Sequence, residues 1–123
     1  MRTDLEAAIA RVEDLSIRMA NVVEARTIEA RGALLTLRRE NGQAIEQLQH
    51  LVESNLPVTD RALESEFHAR FRDAQRAISS HMGKWPVTLI GDDPAGFQQS
   101  ARVAREAKLE LLGWLKRELL PRI

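Results

Sequence analysis

The amino-acid sequence predicts an all-α fold, an antiparallel bundle of long amphipathic helices. Three observations carry that expectation. Large apolar residues recur at steps of three and four along most of the 123 residues, capping residues stand ahead of the apolar runs, and the strongest breakers, Asn55 to Pro57 and Gly83 to Pro86, fall between runs.

The first run opens with Thr3-Asp4-Leu5-Glu6, a capping box that starts a helix near residue 4. Leu5, Ile9, Val12, Met19 and Val23 follow, then Leu34, Leu37, Ile45, Leu48 and Val52, with Gly42 a soft spot among them. The stripe fades between Glu24 and Gly32, where Ile28 is the only large apolar residue. Two readings result. A continuous first helix over about 4–53 would be ~75 Å long and gives a bundle of three long helices; it is favoured because the stretch has no proline and no tight-turn dipeptide. A break near Gly32 would instead give a four-helix bundle.

Asn55-Leu56-Pro57 ends this region, since proline cannot continue a helix. Thr59 or Asp60 caps the next helix, whose Leu63, Phe67, Phe71, Ala74, Ile78 and Met82 form the most regular stripe in the chain. Gly83 ends it. Asp92-Asp93-Pro94 starts the last helix, with an aspartate cap and proline at the first turn, and this helix buries Phe97, Ala101, Ala104, Leu111, Trp114 or Leu115, and Leu119 before Pro121.

Composition narrows function mainly by exclusion. The length fits a single domain, 1–123, with 44% hydrophobic and 29% charged residues. A formal net charge of zero argues against general affinity for nucleic acid or anionic lipid. Without cysteine there is no disulfide, thiolate metal site or thiol nucleophile. No apolar run reaches membrane-spanning length and none near Met1 forms a secretory core, so the expectation is a cytoplasmic protein. Arginine-rich, alanine-rich and tyrosine-free usage points to a bacterial source.

Several constellations could carry chemistry. Glu46 with His50, and Glu64 with His68, stand four apart and become level across the turn near Pro57. At 100° per residue, however, both histidines point away from the apolar stripes, so surface ion pairing explains them better than a metal site. Ferritin-like carboxylate bundles use Glu-x-x-His, which is absent; a metal-carboxylate bundle is the weakest alternative. His81-Met82-Gly83-Lys84 resembles the His-x-x-Lys spacing of histidine phosphotransfer domains, and that resemblance, four residues long, implies His81 as phosphoacceptor. Against it, Gly83 and Trp85-Pro86 should end the helix at that point. No phosphate loop, nucleophile elbow or His-Glu-x-x-His motif occurs. The expectation is a protein without catalytic, metal or cofactor residues.

Two apolar features remain. The loop over 83–93 carries Trp85, Val87, Leu89 and Ile90, which either plug the bundle end or form a partner-binding strand. Leu5, Ile9, Val12, Met19 and Val23 line a narrow stripe, with Leu15 and Ile17 off it. On a continuous helix, residues 1–30 would project as an arm, and this stripe would be a coiled-coil seam for a homodimer or a partner helix; otherwise the arm folds back on its own bundle. The sequence thus reads as a non-catalytic protein-protein interaction module: an adaptor, chaperone-like protein or regulatory subunit. Its general architecture is similar to that of small bacterial export chaperones.

Overall fold

The computed structural model describes residues 2–22, 27–56 and 60–123. They form four long helices: α1 (Arg2–Val22), α2 (Ile28–Asn55), α3 (Arg61–Lys84) and α4 (Pro94–Trp114). A 3-10 turn at Val87–Leu89 lies between the last two. After Trp114 the chain continues as a π-helical turn, Leu115–Leu119, and a 3-10 turn, Leu120–Arg122.

The all-α class holds, but the expected long first helix does not. Helix α1 ends at Val22, and α2 begins after Thr27, whose extended backbone and side-chain oxygen, 3.1 Å from the Ala30 amide, make an N-cap. The discontinuity therefore precedes Gly32. Gly32 and Gly42 both lie inside α2 with open space where a Cβ would stand, and the helix runs through them. At the other end, α1 already includes Thr3, so this residue sits in the first turn instead of capping it.

Two helices allow what one long helix would forbid, the burial of the N-terminal stripe in the chain's own core. Leu5, Ile9 and Val12 share a cluster with Ile45, Leu48 and Val52 near the far end of α2, whereas Met19 and Val22 pack with Leu34 near its start. Helices α1 and α2 are therefore antiparallel. The same pattern holds for α3 and α4: Leu63 and Phe67 join Leu111 to Leu119, while His81 reaches Ser100. The proposed dimer seam is thereby corrected. Leu5, Ile9 and Val12 are fully buried within one chain, Met19 is half-buried, and Val23 lies outside the described residues. Leu15, read as off the stripe, is buried too, and only Ile17 points outward.

Caps fix the remaining starts. Asp60 accepts the Leu63 amide at 3.0 Å, and Asp93 accepts that of Gly96 at 3.0 Å beside Pro94; Thr59, the other cap candidate, lies outside the described residues. At the chain end, Lys116 pairs with Glu13 at 2.7 Å and Arg122 with Asp60 at 2.8 Å. The main core is centred on Phe67 and Trp114, whose stacked rings lie 6.4 Å apart.

Candidate functional site

The apolar core comes in two parts. The larger cluster runs from Leu5 to Leu120; a smaller one, Leu34, Ile90 and Phe97, closes the opposite end with Met19, Val22, Trp85 and Val87 against it. Between them lies a cavity of about 60 Å³, partly open to solvent, with the exposed Met82 among its lining residues. That is room for roughly four to six water-sized groups.

What lines this space follows from the helix stripes. In α1 the series Leu5, Ile9, Val12 continues to Ser16 before Met19; in α2 the series Leu34, Leu37 continues to Asn41 before Ala44 and Ile45. In α4, Phe97, Ala101 and Ala104 continue to Lys108 before Leu111. Each helix thus places one polar residue at a core position. Ser16, Asn41 and Lys108 are the buried polar side chains among the described residues, and all three line the same cavity.

Lys108 dominates the electrostatics. Its residue is 5% exposed, and its Nζ donates to Asn41 Oδ1 at 3.3 Å. No carboxylate among the described residues pairs with it, and the cavity wall carries Arg38, His81, Arg105 and Lys108 but no acidic side chain. Burial, with the Arg105 charge second, pushes the ammonium down to about 8 from an ordinary 10.5. An unpaired buried charge is costly, and this one is only partly compensated by a neutral amide oxygen.

His81 and Arg38 complete the wall. Helix α3 ends at Lys84 with Trp85 as its C-cap, one residue beyond the end expected at Gly83, so His81 lies in its last turn. The ring is nevertheless turned inward. It is half-buried, its Nδ1 shares a 2.7 Å hydrogen bond with Ser100 Oγ, and its centroid lies 5.3 Å from that of Phe97. Burial, then the charges of Arg38 and Lys108, hold it down at about 4, so the imidazole is neutral near pH 7. Arg38 reaches from α2 to donate to the Trp85 carbonyl at 2.8 Å, and its own burial lowers its pKa.

The loop residues behave largely as a plug. Ile90 is buried, Trp85 and Val87 are partly buried against Phe97 and its neighbours, and Leu89 alone is exposed. The Trp85 ring meets Phe97 edge-on at 5.9 Å. Of the paired histidines and glutamates, only His68 comes near carboxylates, Glu64 at 3.8 Å and Glu53 at 4.0 Å, with all three side chains well exposed. Among the described residues no group of three potential metal ligands converges, and no helix is long and apolar enough to cross a membrane.

Chemically, the cavity offers fixed positive charge, a neutral imidazole and an apolar lining. No acidic side chain lines it beside His81. Sequence reading named His81 but missed Lys108, Asn41, Ser16 and Arg38. No known protein family, curated protein or solved structure matches the chain.

Proposed function

We propose that this chain is a non-catalytic binding protein whose working part is the cavity between its four helices, where a small organic molecule is held. One observation carries the reading: the three buried polar side chains of the described residues, contributed by three different helices, converge on one otherwise apolar space. Scattered burial of polar groups would be ordinary, but convergence on a cavity is the usual construction of a ligand site. A bundle of this kind acts by changing shape or stability when occupied, in keeping with a regulatory subunit.

The test is binding of organic fragments of roughly four to six non-hydrogen atoms to the intact chain, followed by amide NMR and thermal melting. A ligand should shift the amides of Ser16, Asn41, Ala104 and Lys108, and Ala104→Leu, which fills the cavity from its wall, should abolish those shifts while the helical fold persists. If no fragment perturbs these residues at millimolar concentration, the cavity is a packing gap and the reading fails.

A protein-contact role, as adaptor or homodimer, draws on a different observation. Ile28 is 82% exposed, with Leu35, at 52%, two turns further along the same face of α2. Light scattering across concentrations tests self-association: a constant monomer mass leaves that role only to a different protein.

A further inference from the structure

Building on the binding reading, we propose that the cavity's ligand is a compact organic carboxylate, its apolar body against Met19, Leu34 and Phe97 and its carboxylate paired with the Lys108 ammonium. The wall is positive without a counter-ion, although the chain as a whole has no net charge. Positive residues have therefore been gathered here while acidic ones were kept on other surfaces. In a partly desolvated site a carboxylate satisfies an ammonium that now has a single hydrogen bond, at 3.3 Å, to a neutral acceptor. Arg105, half-buried in the cavity wall, adds positive charge that would attract the anion. Arg38 is already committed to the Trp85 carbonyl and holds the loop, so it shapes the site more than it binds.

The titratable groups facing Lys108 are Arg38 from α2, His81 from α3 and Arg105 from α4; α1 contributes the neutral Ser16. His81, held at about 4, stays neutral above pH 6, so Lys108 is the group whose charge changes near pH 8. Carboxylate affinity should then be flat below pH 7 and fall as pH rises through about 8.

The experiment compares propionate, 1-butanol and butylamine, matched in number of non-hydrogen atoms, small enough for the cavity and differing in charge, by calorimetry on the full chain at pH 7. Propionate should bind at least about tenfold more tightly than the other two. That preference should vanish in Lys108→Met and survive in Lys116→Met, a surface control. At pH 8, titrations in buffers of different ionisation enthalpy should show proton uptake on propionate binding. Equal affinity for propionate and 1-butanol would overturn the carboxylate assignment and leave the binding reading standing. Preference for butylamine, or a propionate preference unchanged in Lys108→Met, would overturn it as well. No binding of any of the three would remove the binding reading on which it rests.

Discussion

Replacing Lys108 by methionine should stabilise this protein, although it removes a hydrogen bond. Methionine fills nearly the same volume with an unbranched, adaptable chain and carries no charge. The ammonium titrates at about 8 in the fold against 10.5 ordinarily, a difference worth about 3 kcal/mol against the folded state at pH 7. Losing the Asn41 contact returns about 1 kcal/mol. The expected net gain is about 2 kcal/mol, or roughly 6 to 10 °C in melting temperature for a chain of this size. The sign with pH is fixed by linkage. A base whose folded pKa is depressed binds fewer protons folded than unfolded between about 8 and 10.5, so wild-type stability rises with pH across that window. By pH 10 the charge penalty has shrunk to about 1 kcal/mol, and the two proteins should melt together. Urea denaturation at pH 7 and pH 10 measures both arms. Destabilisation by more than about 1 kcal/mol at pH 7 would show the ammonium to be well satisfied in the fold. A gain that persists undiminished at pH 10 would trace the effect to packing instead of charge.

Other consequences are equally direct. Phe67→Ala should cost about 3–5 kcal/mol in chemical denaturation, because that ring is fully buried against Trp114 and Phe71. Gly42→Ala should raise the melting temperature through a helix-propensity gain of up to about 1 kcal/mol, since its Cβ meets open space. Gly96→Ala should gain nothing or lose stability, because a Cβ there would collide with the Asp93 capping carboxylate and lie 3.1 Å from the Trp85 ring. His81, held at about 4 instead of 6.5, favours folding above 6.5 and withdraws that support as pH falls through 4. The stability of His81→Gln relative to wild type should accordingly improve on acidification from pH 7 to 4.5 in urea titrations.

Much of the fold was legible in the residues, for identifiable reasons. The α3 stripe of Leu63, Phe67, Phe71 and Ala74 is buried as its spacing requires, and Asp60 and Asp93 cap where short acceptors precede apolar runs. The plug formed by Trp85, Val87 and Ile90 follows from the cost of leaving such groups in water. The division of the first helix was harder to read. Thr27 is not followed three residues later by Glu or Gln, so its cap lacks the reciprocal signature, and attention falls on Gly32, which the helix tolerates. Since breaking the helix lets Leu5, Ile9 and Val12 be buried within one chain, tertiary packing outweighs the local helix preference.

The site was half legible. His81 stood out as a residue type, but the environment that lowers its pKa comes from α2 and α4, which no local window contains. Lys108, Asn41 and Ser16 did leave a signal. Each occupies the next apolar position of its helix's stripe, and a polar residue at such a position either faces a partner or a cavity. Recognising that the three would become level required the antiparallel pairing of α1 with α2, which depends on the helix being interrupted at Thr27.

The most direct test of the central claim, that Lys108 is a buried cation without a carboxylate partner in the fold, is an NMR titration of its side chain in the free protein and with saturating propionate. The midpoint should lie near 8 in the free protein and move upward when the carboxylate is bound. A midpoint near 10.5, like that of an ordinary lysine, and unmoved by propionate would contradict it.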